Sequence, residues 1–526
     1  VFTEISELIH LISQQPSFII GAVLVGLVML FWDTVEVGRN DAANLVNAVL
    51  GARILPRRTA LALAGACVVL GASFSSAVVE TARTGIFDPQ KLRSVEQLLA
   101  IYASVYIVDT VLLYSFSAYG MPVSTTACLV FELLGASFAL EFFGVVRWDK
   151  SGTVVAAIVC SILLSGVASF LIQRAARGAI GRRSDDLQTL LLHGGWIGGG
   201  VLAGLFYFMI LKGMGGVKAV GAFRDSVFAY YGSAAMLVFL WGGFAILVHA
   251  ALVVFKERAA KWLFPALTVL GMMCMAFAFG QNDLANCASP GLATLHTVKH
   301  IDEGMGTITE LQINRSWLVV CGCLMAAGMF TKTSQRVTRA AMRAGSAGDH
   351  VRLWAPQWCI GLAKRMLRSQ PHNGALAPEA AVTPAGKTAH YDMLRACVIM
   401  AVSASVIATA SSLGLPVSTT YVAFAAIVAT GMADRIFRRG DAALKLGRSI
   451  WVVFSWFMAA VIAALAAGIV CRCVYHLGIA GMLLTIGANL VVRSVVKKRS
   501  DAQRERVRAE AAARMQAEEA DAHDPE

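Results

Sequence analysis

Gly38-Arg39-Asn40-Asp41-Ala42-Ala43-Asn44 sets one carboxylate between two carboxamides in an otherwise apolar stretch, and Gly280-Gln281-Asn282-Asp283-Leu284-Ala285-Asn286 repeats the pattern. Asp41 and Asp283 would supply negative charge. Asn40, Asn44, Asn282 and Asn286 would supply neutral oxygens and N–H donors. An acid within a membrane span is costly, so even one such word asks for a function. A second pair of words, Pro122-Val123-Ser124-Thr125-Thr126 and Pro416-Val417-Ser418-Thr419-Thr420, offers hydroxyls. Pro suits the first turn of a helix, where backbone N–H groups lack partners. Ser124, Thr125, Thr126, Ser418, Thr419 and Thr420 would therefore stand beside free N–H donors, a setting for a tetrahedral oxyanion. For either word alone, helix capping and polar contacts between helices are an adequate account. The order ND, PVSTT, ND, PVSTT points instead to a duplicated carrier.

The elements that must hold these words are apolar helices. Of 526 residues, 57% are hydrophobic and only 15% charged, against roughly 25% charged in soluble domains. Mean hydropathy is +0.65. The fold class is an all-α polytopic membrane protein. Apolar runs fall at 17–51, 59–80, 98–118, 123–143, 152–173, 194–213, 227–255, 264–291, 316–332, 391–413, 417–434, 449–471 and 475–492. About 12–13 transmembrane helices are expected, with the last run open to a re-entrant or interfacial reading. Residues 1–16 lack the basic start of a secretory signal.

The net charge of +12 does not argue for nucleic acid, because Lys and Arg gather in short loops after odd-numbered spans, as the positive-inside rule requires. The N-terminus is expected outside and the C-terminus inside. A shift of seven spans between copies inverts the second relative to the first, the inverted-repeat architecture. The first repeat is expected at 17–173, connecting spans and a basic loop at 174–255, and the second repeat at 256–471. The last apolar segment and a charged tail, solvated helix or unstructured, fill 472–526. A cytoplasmic insertion is read at 333–388, whose stretch 351–368 mixes Trp with Lys and Arg and suits the inner membrane surface. Both Gly-x-Asn-Asp words are expected to break their helices, exposing backbone groups around a site near the midplane.

The paired GxNDxAN and PVSTT words resemble the inorganic phosphate transporter (PiT) family over about residues 20–475. The resemblance implies uptake of orthophosphate coupled to Na⁺ or H⁺, with these words as substrate and ion sites. Asp41, Asn44, Asp283 and Asn286 are then the candidate Na⁺ ligands, and no other cofactor is expected. The chain departs from the family in four places. Glu36 stands where Asn is usual, and Arg39 replaces a small residue; Arg39 could add positive charge for phosphate, but is expected to pair with Glu36 or Asp33 or to reach the interface. Cys67 and Met400 stand where relatives carry acids, which puts the usual coupling in question. Glu80 and Glu141 are expected at the interfaces. Asp109 and Glu132 lie mid-span, where proton coupling or pairing between helices would explain them.

The expected activity is secondary import of phosphate across the plasma membrane by a multi-pass protein in contact with lipid; homo-oligomerisation is left open. The alternatives are another oxyanion such as sulfate, a metal–phosphate complex, or a phosphate sensor that does not transport. No metalloprotease, nucleotide-loop or nucleophile motif supports an enzyme. The eleven cysteines show no zinc spacing and read as small buried residues.

Overall fold

The computed structural model describes residues 11–75, 78, 86–141, 144–214, 218–300, 314–347, 351, 353–368, 389–438 and 440–521. Glu80 and part of the insertion, 348–350, 352 and 369–388, lie outside them. The described chain is all-α, with one isolated bridge, Phe87 to Val146. In order the helices are α1 (Ser17–Gly51), α2 (Arg57–Ala72), α3 (Val95–Ala118), α4 (Thr125–Glu141) and α5 (Trp148–Ile180). Helix α6 (Leu187–Leu205) runs on as π-helix to Gly213, and α7 (Lys218–Lys299) follows. Then come α8 (Arg315–Met329), α9 (Lys332–Ala344), α10 (Gln357–Arg368), α11 (Met393–Ser412), α12 (Thr419–Ala433), α13 (Ala442–Leu477) and α14 (Ile479–Asp521).

Burial is arranged as a bilayer demands. Large apolar side chains face outward, with Leu163, Ile246 and Ile469 61%, 73% and 71% exposed, while the polar words lie at the centre. Among the described residues, eight helices are long and apolar enough to cross a membrane, or nine if the pair α8–α9, bent by 68°, makes one span. The gap from the expected thirteen has a physical source. Helices α2, α4 and α12 have 16, 17 and 15 residues, too short at about 1.5 Å per residue for a core of about 30 Å. Two expected spans also merge in α7, which bends at Lys256 (φ 46°, ψ −126°).

The expected helix breaks are corrected. Helix α1 runs continuously through Gly38–Asn44, and α7 departs from helical geometry only at Gly232 and Lys256. The word glycines serve close packing instead. A Cβ on Gly38 would sit 1.9 Å from the Met325 carbonyl oxygen, and one on Gly280 would sit 2.2 Å from that of Val68. The crossings are reciprocal: Gly328 meets the Val35 carbonyl at 2.2 Å and Gly71 that of Phe277 at 2.0 Å. Helix α1 thus crosses α8, and α7 crosses α2, at backbone contact.

The breaks fall at the second pair of words. Helix α3 ends at Ala118 and α4 starts at Thr125; α11 ends at Ser412 and α12 starts at Thr419. Gly120 (φ 65°) and Gly414 (φ 66°), each two residues before the Pro, adopt the left-handed turn that ends a helix. Ser124 Oγ accepts from Ala127 N at 3.0 Å and Ser418 Oγ from Tyr421 N at 3.1 Å, capping the helices that follow. The charged tail is helical: α14 has 43 residues, about 65 Å of helix, so much of it extends beyond a bilayer.

Candidate functional site

The four words meet. All twelve predicted residues are at most 4% exposed, so the site is closed to solvent. In α1, Asn40 Nδ2 donates to Val123 O at 2.7 Å, tying the first ND word to the first PVSTT turn. In α7, Asn282 Nδ2 donates to Val417 O at 2.7 Å, the equivalent tie in the second copy. The hydroxyls cross over. Thr420 Oγ1 lies 2.7 Å from Asp41 Oδ1 and 3.1 Å from Val123 O. Thr126 Oγ1 lies 3.4 Å from Asp283 Oδ1 and 3.0 Å from Val417 O. Asn44 Nδ2 donates to Asp41 Oδ1 and to Thr420 Oγ1, both at 2.9 Å. Asn286 Nδ2 does the same toward Asp283 Oδ1 at 2.7 Å and Thr126 Oγ1 at 2.9 Å. Each acid therefore relies on a threonine of the other copy.

Thr125 joins the two centres, its hydroxyl 3.4 Å from Asp41 Oδ2 and 3.3 Å from Asp283 Oδ1. Thr419 lies beside Asp283. Ser124 and Ser418 are spent on the caps and act through the helix starts they fix. No ion pair among the described residues involves Asp41 or Asp283. Two buried carboxylates ringed by carbonyl, hydroxyl and amide oxygens form the donor set that hard cations take. The first turns of α4 and α12 add N–H groups without intrahelical acceptors, suited to an oxyanion.

Arg39 is not part of this centre. Its Nη1 pairs with Glu36 at 2.7 and 2.8 Å, as expected. Glu36 also takes Arg493 Nη2 at 2.5 Å, a partner from α14 that local spacing could not reveal. Glu141 binds Arg93 at 3.1 Å at the end of α4. Cys67 is buried, and Met400 packs against Gly271. Asp33, Asp109 and Glu132 are buried and have no basic partner among the described residues. Both oxygens of Asp33 and Glu132, and Oδ1 of Asp109, lack hydrogen-bond partners. Asp33 and Asp109 lie against each other.

Sequence reasoning missed three groups. The Val123 and Val417 carbonyls carry no side-chain signal. Ser117 Oγ donates to Asn40 Oδ1 at 3.1 Å, and only its place one turn before the PVSTT word hinted at this. The Gly two residues before each Pro was a readable sign of the break.

A membrane-crossing helical bundle around a closed, duplicated polar centre defines a multi-pass transport protein and not an enzyme. The comparisons specify which. The sequence profile of the phosphate transporter family matches residues 37–342 and 381–467, and the chain belongs to that family: it is a phosphate transporter. A protein of Pyrococcus horikoshii, provisionally named a phosphate permease, is 25% identical over 460 residues, 87% of this chain and 98% of its own. One of Thermococcus kodakarensis, named likewise, is 26% identical over 452 residues, covering 84% and 95%. A solved structure titled "The sodium-dependent phosphate transporter" shares the fold, with a TM-score of 0.63 at 20% identity over 87% of this chain and 98% of its own.

Proposed function

We propose that the chain imports inorganic phosphate across the plasma membrane by alternating access, with Na⁺ as the coupling ion held by Asp41, Asn44, Asp283 and Asn286. One observation carries this reading: two acids, each 0% exposed and without a basic partner, share Thr125 between them. Two such charges at the centre of a membrane protein, joined there by an anionic substrate, call for cations. The solved sodium-dependent relative of the same fold supports Na⁺ as that cation. In this reading Thr125, Thr126, Thr419 and Thr420 hold the phosphate with the N–H groups of the helix starts, and Asn40 and Asn282 fix the turns. The reciprocal pairing of the two copies supports an inverted repeat, whose halves rock about the shared centre.

The test is phosphate uptake into sealed proteoliposomes under an inward Na⁺ gradient, an inward H⁺ gradient, or neither. Uptake driven by Na⁺ alone is expected. Saturable phosphate binding without flux would replace the carrier with a sensor. A second reading, H⁺ coupling, rests on the five unpartnered carboxylate oxygens of Asp33, Asp109 and Glu132. It predicts uptake driven by H⁺ alone and lost in Asp109→Asn.

A further inference from the structure

Helix α10 leaves an apolar stripe uncovered. Trp358, Leu362 and Met366 recur every four residues and are 51%, 43% and 52% exposed, so at about 100° per residue they share one face. A second face packs on the protein: Cys359 and Ala363 are buried, and Ile360 crosses α13 at Gly447, where a Cβ would lie 3.1 Å from Ile360 Cα. The third face is basic. Lys364, Arg365 and Arg368 are exposed, with no ion pair or hydrogen bond from their side chains among the described residues. The helix itself contains no Asp or Glu.

The stripe continues onto the membrane face of α13. Trp358 stands edge-on to Phe454 with ring centres 5.3 Å apart, and Phe454 opens an exposed row with Phe457, Val461 and Leu465. That row on a bilayer-crossing helix meets hydrocarbon, so α10 lies where hydrocarbon gives way to headgroups. By the distribution of Lys and Arg this end faces the cytoplasm. The same element is tied to the transport site. Arg448 of α13 donates from Nη1 to Trp354 O at 3.1 Å and from Nη2 to Gly120 O at 2.9 Å, in the turn before the first PVSTT word. Trp451, edge-on to Trp354 and Trp358, donates from Nε1 to Met121 Sδ at 3.1 Å.

We propose that α10 docks on anionic phospholipid headgroups of the cytoplasmic leaflet, and that this docking, passed through Arg448 and Trp451, steadies the turn at residues 119–121. Three exposed bases beside an apolar stripe are the complement of an anionic membrane surface. The docking face is separate from the phosphate and cation site above, and its test needs no transport.

The test is amide hydrogen exchange of the full chain in nanodiscs of phosphatidylcholine, alone or mixed equally with phosphatidylglycerol. With phosphatidylglycerol, exchange should slow at least about threefold across 357–368 and by a smaller factor across 119–121. Both changes should shrink as salt rises. Lys364→Gln/Arg365→Gln/Arg368→Gln should erase them, and Leu362→Gln should weaken them. Arg365→Lys/Arg368→Lys should keep them, because headgroup attraction asks for charge and not for a guanidinium fork. Identical exchange in the two lipids, or a response that survives the glutamine triple, would overturn the docking. Slowing confined to 357–368 would overturn the link to the turn. Slowing by soluble polyglutamate in neutral nanodiscs, with no effect of phosphatidylglycerol, would reassign the face to an acidic protein partner.

Discussion

The two copies of the site share sequence and contacts but differ in how fully their acids are satisfied. Asp41 Oδ1 receives Asn40 at 3.0 Å, Asn44 at 2.9 Å and Thr420 at 2.7 Å, and Oδ2 faces Thr125. Asp283 crowds its donors onto Oδ1, with Asn286 at 2.7 Å, and leaves Oδ2 without a partner. Asn286 Oδ1 is likewise unpartnered. A buried oxygen with no donor is costly unless a ligand completes it. In the reading proposed above, this leaves the second copy the more open of the two to a cation.

The largest effect should test this contrast directly. Asp283→Asn is expected to reduce phosphate uptake at least about a hundredfold, since losing a buried charge partner costs about 3–5 kcal/mol and each 1.36 kcal/mol is tenfold. Asp41→Asn, whose amide oxygen can still accept from its neighbours, should retain at least about ten times more activity. Equal losses in Na⁺-dependent uptake assays would show that the two acids are functionally equivalent.

Next in size is the bridging hydroxyl. Thr125→Ala removes a contact to both acids and should lower kcat/KM about tenfold, the scale of one hydrogen bond to a charged group. Its counterpart Thr419→Ala, which makes no comparable bridge, should cost less. A larger loss from Thr419→Ala would place the joint between the copies in the other half.

The glycine crossings extend the comparison to packing. Gly38→Ala and Gly280→Ala each force a Cβ into a carbonyl oxygen, at 1.9 and 2.2 Å. Each should destabilise the protein by about 1–3 kcal/mol, read as a lower thermal unfolding midpoint in detergent. Similar shifts are expected, because packing treats the two copies alike where the proposed ion binding does not.

The smallest effect guards the ion-gradient experiment. Burial and the charges of Arg343, Arg53 and Lys445 push His390 down from 6.5 to about 4. The unfolded chain binds the proton first, so this group's contribution to stability is intact above pH 6.5 and is lost as pH falls toward 4. His390→Gln should flatten the thermal midpoint across that window. Unchanged acid sensitivity in the variant would assign it to other groups.

Much of the centre was legible because membrane burial makes a polar word conspicuous and duplication marks it twice. Asp41, Asp283 and the threonines needed no structure to be singled out, and the apolar runs predicted most helix positions to within a few residues. The break was misplaced for a physical reason. A glycine inside a span reads locally as a weak point, and whether it unwinds the helix or admits a neighbour depends on a carbonyl such as Met325 O, almost three hundred residues away. Val123 and Val417 contribute through their backbones, which residue type does not advertise. Arg493 reaches Glu36 across 457 positions, beyond any local pattern.

The reciprocal crossings also set a timetable for synthesis. Helix α1 cannot seat Gly38 until α8 has been made, and Asp41 lacks Thr420 until almost the whole chain has been translated. During that interval Asp41 has Asn40, Asn44 and Thr125 within reach but lacks the hydroxyl of Thr420. Two half-length polypeptides expressed apart should therefore be degraded singly and rescued only when made together.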